Sequence, residues 1–250
     1  MTFRLAAAQS VSTPGDLTAN IAEHMTFIRL AAQARVDLLL FPELSLSGYE
    51  PDMLPRLALS ARSIELTPLR ELVHTLGVTT VVGAPIADDD QALPHIGALT
   101  LFPDGRVEVY CKQFLHPGED AFASHATPAR ACYDIDGIAC ALSICADSAH
   151  PEHAARASED GAKVYLASAL ISRVGYPTDT TRLAHYARQH HFAVLLANHG
   201  APSGGYASAG RSALWDEKGE LVVEAPGEGS WLVIGERATN GWSGRLLAND

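Results

Sequence analysis

The chain has 250 residues, of which 47% are hydrophobic and 19% are charged, the composition of an ordinary soluble globular protein. Its 18 Lys and Arg against 29 Asp and Glu give a formal net charge of −11. The sequence contains no basic block, which argues against nucleic acid or an anionic membrane surface as a partner, because both require clustered positive charge.

In the first part of the chain, strand-like and helix-like patterns alternate. Residues 3–8 form a short apolar run typical of a strand, and apolar residues then recur at helical spacing over 17–32. Residues 38–41 and 78–84 are apolar runs typical of strands buried on both faces. Between them, Thr67-Pro68 predicts the N-cap and first turn of a helix that ends at Gly77.

The rest of the chain mixes hairpins with βα units. Turn residues predict three hairpins, which span 96–111, 133–144 and 212–223, and a further strand at 231–234. A helix from 151, a strand at 164–167, a helix at 179–190 and a strand at 192–198 lie between the second and third hairpins. This mixture predicts an α/β fold with mixed sheets covered by helices. Since no low-complexity linker or repeat divides the chain, we expect a single domain over residues 1–250.

The sequence also predicts a cytoplasmic location. No window reaches the ~18 apolar residues that a membrane span needs, and no apolar stretch of signal length precedes Ala6-Ala7-Ala8. The four cysteines form no CxxC pair, which fits a reducing compartment better than a disulfide framework.

Three of the predicted strands end beside a residue that can take part in catalysis. Glu43 follows the strand at 38–41, Lys112 follows the second strand of the first hairpin, and Cys145 follows the second strand of the next hairpin. Ligands of α/β sheets bind outside the carboxyl ends of strands, so these side chains are expected to meet in one crevice. A carboxylate can accept the thiol proton, and an ammonium group can stabilise the oxyanion formed when a thiolate attacks a carbonyl.

A buried structural role is the alternative for each cysteine, because free cysteine is among the most buried residue types. Cys140 lies inside an apolar run, and Cys111 and Cys132 are also expected in the core. Cys145 differs because polar and charged residues follow it at once. Glu43 and Lys112, taken alone, would be ordinary surface charges.

The eleven histidines invite two other hypotheses. Neither His190-His191 nor His150 with His153 has the spacing of a zinc site, so we expect no metal. A papain-like pair, with His150 or His199 as the base for Cys145, is a rival mechanism, although the surroundings of Cys145 do not match that family. The glycine-containing segment 200–206 is expected to form a mobile loop, at the rim of a pocket.

Three stretches, in order, resemble the signatures of the nitrilase (carbon–nitrogen hydrolase) superfamily. They are Leu39-Leu40-Phe41-Pro42-Glu43-Leu44-Ser45-Leu46-Ser47-Gly48-Tyr49, then Tyr110-Cys111-Lys112-Gln113-Phe114-Leu115-His116-Pro117-Gly118-Glu119, and then Ile144-Cys145-Ala146-Asp147 closing on Pro151-Glu152. Gly210-Arg211-Ser212 is similar to the closing motif of the family. The resemblance spans nearly the whole chain.

This resemblance implies a site and a fold. Glu43 would be the general base, Lys112 the oxyanion stabiliser and Cys145 the nucleophile. Glu119 would orient the substrate or the lysine, and the backbone N–H of Ala146 would complete the oxyanion hole. The implied fold is a four-layer α-β-β-α sandwich, members usually form homodimers, and no cofactor is implied.

The departures from the family pattern concern specificity. Ala146 replaces a common aromatic residue, Ser148-Ala149-His150 replaces the residues before the proline, and Phe114 replaces a frequent histidine. Loss of the aromatic ring is expected to widen or reshape the pocket.

The resemblance implies a cysteine-dependent hydrolase of a small-molecule amide. N-carbamoyl amines or amino acids, and nitriles, remain open as substrates, because all are processed through the same acyl-enzyme chemistry. A non-catalytic binding protein on the same fold is the alternative from a different class.

Overall fold

The computed structural model describes residues 2–88, 90–126 and 132–249. Strands β1 to β13 span Phe3–Gln9, Leu38–Leu40, Thr79–Ile86, His95–Leu101, Val107–Cys111, Cys132–Ile135, Ile138–Ile144, Val164–Ala169, Ala193–Asn198, Ala213–Trp215, Leu221–Glu224, Trp231–Ala238 and Gly241–Ala248. Helices α1 to α5 span Leu17–Gln33, Leu54–Leu57, Thr67–Leu76, Pro151–Glu159 and Tyr176–His190.

The strands form two mixed sheets. The seven-stranded sheet has the order β13-β12-β1-β2-β3-β4-β5, and the six-stranded sheet has the order β11-β10-β9-β8-β7-β6. β1, β2 and β3 are parallel, and β5 runs in the same direction because it pairs antiparallel to β4, which is antiparallel to β3. β7, β8 and β9 are also parallel. The carboxyl ends of β2 and β5 therefore lie at the same edge of the first sheet.

Three apolar layers hold the sheets and helices together. Alternate residues of the strands, such as Leu38 and Leu40 in one sheet and Leu142 and Ile144 in the other, pack between the two sheets. On the opposite face of the first sheet, Leu39 belongs to the core that includes residues of α1 and α3. The outer face of the second sheet packs against α4 and α5. Helix, sheet, sheet and helix thus form the predicted four-layer sandwich, which is confirmed.

Most of the predicted elements are confirmed, with shifts at their ends. The prediction that Thr67 caps a helix is wrong, since Leu66 holds the N-cap position and Thr67 is the first residue of α3, although Gly77 ends it in the left-handed conformation. The helix predicted to start at 179 begins three residues earlier, at Tyr176, with Pro177 in its first turn. β13 was not expected at all, because its residues Gly241–Ala248 include two glycines and several exposed side chains.

The structure separates the four cysteines. Cys140 and Cys132 are buried, as predicted, but Cys111 and Cys145 are both partly exposed. The core position predicted for Cys111 is therefore only partly correct, because β5 is an edge strand of its sheet. In the described part of the chain, no helix has the length and apolar character needed to cross a membrane.

Candidate active site

Glu43 lies in the tight turn that follows β2. The next residue, Leu44, has a positive φ of 51°, and the amide of Leu46 donates to the carbonyl of Gly83 in β3 at 2.9 Å. A Cβ at Gly83 would overlap the carbonyl oxygen of Pro42 and the amide nitrogen of Leu44. Glycine at this position therefore allows β3 to approach the backbone that presents Glu43.

Lys112 follows β5 directly, and its backbone amide donates to the carbonyl of Ile96 at 2.8 Å. Its side chain is only 1% exposed. The ammonium group donates to Oε1 of Glu43 and to Oε1 of Glu119, each at 2.7 Å. An ammonium group has three hydrogens, so one remains for a further acceptor.

Cys145 stands at a sharp turn between β7 and a short 3-10 helix over Cys145–Ala149. Its φ is 45°, a conformation that costs free energy in a residue other than glycine and that is held by its surroundings. The hydroxyl of Ser148 donates to the carbonyl of Cys145 at 2.7 Å, which stabilises the turn. The thiol is thereby presented at the end of its strand.

Asp147 joins the Cys145 turn to the segment after Lys112. Its Oδ1 accepts the backbone amides of Gln113 and Phe114, both at 2.9 Å. Its Oδ2 accepts the amide of Ile144 at 3.0 Å and the hydroxyl of Tyr110 at 2.7 Å. Asp147 was expected only as part of a family signature, and its role as a buried bridge depends on tertiary contacts that the sequence does not reveal.

Glu119 is 2% exposed and is held from several sides. Besides Lys112, its Oε1 accepts the hydroxyl of Tyr49 at 2.5 Å, and its Oε2 accepts the amide of His116 at 2.6 Å. Tyr49 is a site residue that the sequence analysis did not single out, although it closes the first signature. Its hydroxyl fixes the carboxylate that in turn contacts Lys112.

Burial and charge set the protonation of the central groups. Burial raises the pKa of Glu43, and the ammonium group of Lys112 acts in the opposite direction. Burial alone would lower the pKa of Lys112, but Glu43, Cys145 and Glu119 together raise it above its ordinary value. Burial, followed by the charge of Glu43, raises the pKa of the Cys145 thiol. The resting nucleophile is therefore a thiol beside a permanent ammonium group, and it needs a base to become reactive.

Glu43 has one oxygen free for this purpose. Oε1 is engaged by Lys112, whereas the buried Oε2 accepts no hydrogen bond of normal geometry from any described residue. The Cys145 thiol lies close enough to contribute to lowering the pKa of Glu43, against the larger effect of burial. The free oxygen of Glu43 can therefore accept the proton that the Cys145 thiol donates.

A small cavity with about 50 Å³ of free volume opens beside these groups. Its lining consists of Glu43, Tyr49, His116, Glu119, Cys145, Leu170 and Tyr206. Tyr206 lies in the 200–206 segment, so the predicted position of that loop at a pocket rim is confirmed. Ala146 is 9% exposed, and the effect of the missing aromatic ring on the pocket stays a prediction.

The histidines proposed as an alternative base for Cys145 make other contacts. His199 donates from Nε2 to the backbone carbonyl of Glu43 at 2.7 Å, and burial lowers its pKa to about 4. His150 stacks on Phe114 with ring centroids 3.8 Å apart. Within the described residues, neither forms a hydrogen bond with Cys145, which disfavours a papain-like pair. The described residues also include no group of three or more His, Cys, Asp or Glu side chains placed to hold a metal ion.

Comparison with known proteins places this arrangement in a family. The sequence model described as carbon-nitrogen hydrolase matches residues 4–242. The chain therefore belongs to the carbon–nitrogen hydrolase family, within the nitrilase superfamily, and is a hydrolase of carbon–nitrogen bonds other than peptide bonds. The resemblance predicted from the three signatures is confirmed.

Two curated relatives align with most of the chain. The glutamine-dependent NAD(+) synthetase of Thermotoga maritima is 27% identical over 245 residues, which cover 90% of this chain but 39% of the synthetase. The chain thus spans well under half the length of that relative. An (R)-stereoselective amidase of a Pseudomonas species is 26% identical over 227 residues, covering 89% of this chain and 81% of the amidase.

Solved structures share the fold. An amidase from Nesterenkonia sp. AN1 superposes with a TM-score of 0.84 at 23% identity, covering 93% of this chain and 92% of the amidase. The glutamine-dependent NAD+ synthetase of Acinetobacter baumannii superposes with a TM-score of 0.86 at 20% identity, covering 97% of this chain and 47% of the synthetase. These similarities establish the sandwich fold.

Proposed function

We propose that the protein hydrolyses a small-molecule amide through a thioester acyl-enzyme. The observation that carries the proposal is the convergence of Glu43, Glu119 and Cys145 on one cavity, with the Lys112 ammonium group bound to both glutamates and one carboxylate oxygen and one ammonium hydrogen left free. Those two free positions are the ones that general base catalysis and oxyanion stabilisation require.

In the first half of the reaction, Oε2 of Glu43 takes the thiol proton of Cys145 while the sulfur attacks the amide carbonyl carbon. The oxyanion accepts the remaining hydrogen of the Lys112 ammonium group and the backbone N–H of Ala146. When the intermediate collapses, the C–N bond breaks and the nitrogen receives the proton from Glu43. Ammonia or an amine leaves, and the acyl group remains on sulfur.

In the second half, water replaces the amine. Glu43 takes a proton from the water molecule as its oxygen attacks the thioester carbonyl, and the same donors hold the second oxyanion. The C–S bond breaks, the carboxylic acid product leaves, and the proton on Glu43 returns to the sulfur. Glu119 holds Lys112 in place through both halves and helps to orient the substrate.

The amidase relatives support an amide as substrate. The Pseudomonas relative is a stereoselective amidase. Structures of the Nesterenkonia amidase include a complex with butyramide, and products of acrylamide and of fluoroacetamide attached at its active-site cysteine. The two adducts form on sulfur by addition or displacement, without attack at the amide carbonyl, so they support a reactive cysteine in that amidase, and the butyramide complex supports a site for short amides.

Three further kinds of substrate are compatible with this thioester chemistry. The NAD(+) synthetase relatives are glutamine-dependent, so release of ammonia from glutamine is the second candidate. N-carbamoyl compounds and nitriles remain alternatives within the same family, and a binding protein without turnover is the alternative outside it.

The test is a screen for ammonia release from small amides, glutamine, N-carbamoyl amines and nitriles, with Cys145→Ala as the blank. We expect ammonia from simple amides with the wild-type chain and none with the variant. Ammonia from glutamine alone would favour the second candidate. Absence of turnover with every compound would support the binding-protein alternative.

We also infer that the chain acts as a single domain, as a homodimer or higher homo-oligomer, and in the cytoplasm, without a cofactor. The family match over residues 4–242 supports the single domain. Sedimentation velocity at several concentrations would measure the oligomeric state, and a monomer at all of them would contradict that inference.

A further inference from the structure

The cavity beside Cys145 is small compared with most substrates. Its free volume of about 50 Å³ is well below the roughly 300–1,000 Å³ of most small-molecule sites. This volume suits the acyl part of a short amide. A longer acyl chain would have to displace part of the lining.

The lining also has a definite charge. Glu43 and Glu119 contribute two carboxylates, His116 contributes an imidazole, and Leu170 and the two tyrosine rings contribute apolar surface. The lining residues that the structure describes include no lysine or arginine, and the one free hydrogen of the nearby Lys112 ammonium group is the donor assigned to the oxyanion. A substrate carboxylate would therefore lie beside two like charges, with no lysine or arginine of the lining to pair with it.

Tyr206 forms the solvent-exposed side of this cavity. The residue is 46% exposed, and its ring meets that of Tyr49 in a T-shaped contact, with centroids 5.7 Å apart at 89°. The other tyrosine of the lining, Tyr49, is only 6% exposed.

The loop that carries Tyr206 is fastened to the catalytic side of the molecule. The hydroxyl of Ser203 accepts the backbone amide of Tyr49 at 2.8 Å, and the amide of Gly204 donates to Glu50 at 3.1 Å. A Cβ at Gly204, whose φ is 55°, would overlap the carbonyl oxygen of Tyr49. The position of Tyr206 is thus set by close contact with the residue that binds Glu119.

We propose that Tyr206 is the outer wall of the acyl pocket and that, together with the two carboxylates, it restricts the site to uncharged amides with short acyl chains. This inference rests on the proposed function. It selects simple amides over glutamine and N-carbamoyl amino acids, both of which carry a carboxylate. Truncating the ring opens the pocket toward solvent and relaxes the limit on chain length, while the charge preference remains.

The experiment compares kcat/KM for propionamide, hexanamide, succinamide and succinamate. The variants are Tyr206→Ala, Tyr206→Phe and, as a distant control, Ile64→Ala, whose side chain is 79% exposed. For the wild-type chain we expect about tenfold or greater preference for propionamide over hexanamide and for succinamide over succinamate. Tyr206→Ala should reduce the chain-length preference by about tenfold, whereas Tyr206→Phe and Ile64→Ala should keep it. An unchanged chain-length preference in Tyr206→Ala, or a wild-type preference for succinamate, would overturn the proposal.

A second assay distinguishes failure of this inference from failure of the proposed amide hydrolysis. If no amide is turned over, the same question is answered by alkylation of Cys145 with bromoacetamide, bromoacetate and 2-bromohexanamide, each rate divided by the rate with glutathione. The proposal then predicts faster labelling by bromoacetamide than by the other two reagents, and a selective gain for 2-bromohexanamide in Tyr206→Ala. Equal normalised rates would contradict it.

Discussion

At the scale of single residues, the contacts of Lys112 define what it can do. Two of its three ammonium hydrogens are committed to Glu43 and Glu119, and the third is free for an oxyanion. Lys112→Ala is expected to lower kcat by about 10²-fold or more, the usual effect of removing an oxyanion donor. Steady-state kinetics with a simple amide would measure this loss.

Lys112→Arg is the matched variant, because it keeps the positive charge and changes only the shape of the donor group. A planar guanidinium does not reproduce the three directions of a compact ammonium group in a closed site, so we expect little recovery of kcat. Circular dichroism should confirm that both variants are folded. A fully active Lys112→Arg enzyme would mean that Lys112 does not contact the oxyanion.

Glu43 has one oxygen without a hydrogen bond, whereas both oxygens of Glu119 accept hydrogen bonds. Substitution by glutamine should therefore have different effects at the two positions. Glu43→Gln removes the acceptor of the thiol proton, so both iodoacetamide labelling of Cys145 and amide turnover should fall strongly. Glu119→Gln leaves that acceptor in place, so turnover should fall while labelling stays closer to the wild-type rate. Both rates are measured on the same preparations. The reverse pattern, with labelling lost only in Glu119→Gln, would show that the base is Glu119.

At the scale of secondary-structure elements, Asp147 connects the ends of β5 and β7. Its carboxylate accepts four hydrogen bonds, from three backbone amides and the Tyr110 hydroxyl. The Tyr110 hydroxyl in turn lies 2.9 Å from Nε2 of His153, and Nδ1 of His153 lies 2.8 Å from the Tyr165 hydroxyl. This buried chain extends from the nucleophile turn to α4 and β8, and it fixes the distance between Cys145 and Lys112.

Asp147→Asn tests Asp147 as a positioning residue. The amide has only one acceptor oxygen and turns an NH₂ group toward donors, so the two loops should separate slightly. Displacement of about 1 Å at a reacting group can cost about 10²-fold, and we expect kcat to fall by at least about tenfold with a smaller change in KM. The exposed Asp160→Asn is the control. Equal changes in kcat and KM, with normal labelling of Cys145, would contradict the positioning role.

The sequence predicted the strand-end residues because each follows a short apolar run. Glu43, Lys112 and Cys145 could be proposed from the order of elements alone, together with the direction of parallel strands. Asp147 and Tyr206 could not be assigned a role in the same way, because their partners lie far away along the chain. β13 was missed because its residues, including Gly244, show no clear alternation of buried and exposed positions.

At the scale of the whole molecule, two buried histidines hold the Glu43 turn from opposite sides. His24, on α1, lies 2.9 Å from the hydroxyl of Ser45, and His199, which follows β9 in the other sheet, donates to the carbonyl of Glu43. Burial lowers the pKa of His24 to about 3 and that of His199 to about 4. Both rings are therefore neutral in the folded protein over the ordinary range of pH.

This arrangement predicts acid sensitivity. Each of the two histidines has a pKa of 6.5 in the unfolded chain and a lower pKa in the folded chain. Between these pH values the unfolded chain binds more protons, so the stabilising contribution of the neutral rings is complete above pH 6.5 and is lost as the pH falls. Each histidine should lower the free energy of unfolding at about pH 5 by about 2 kcal/mol, relative to the value at about pH 7.5. Glu43 acts with the opposite sign, because its raised pKa favours the protonated folded state as pH falls.

Urea unfolding at the two pH values and constant ionic strength would measure this dependence. His24→Gln should lower the free energy of unfolding at neutral pH, because two buried contacts change, but it should also reduce the loss between the two pH values by about half. Equal or greater stability of the wild-type chain at the lower pH would contradict the assignment of neutral buried histidines.

The central claim is that Cys145 carries the acyl group during turnover. The most direct measurement is the intact mass of the enzyme after acid quenching during the hydrolysis of propionamide, followed by peptide mapping. With the wild-type chain we expect a propionyl group on Cys145, and neither adduct nor ammonia release with Cys145→Ala. An adduct at another residue, or ammonia release by Cys145→Ala, would show that Cys145 does not carry the acyl group.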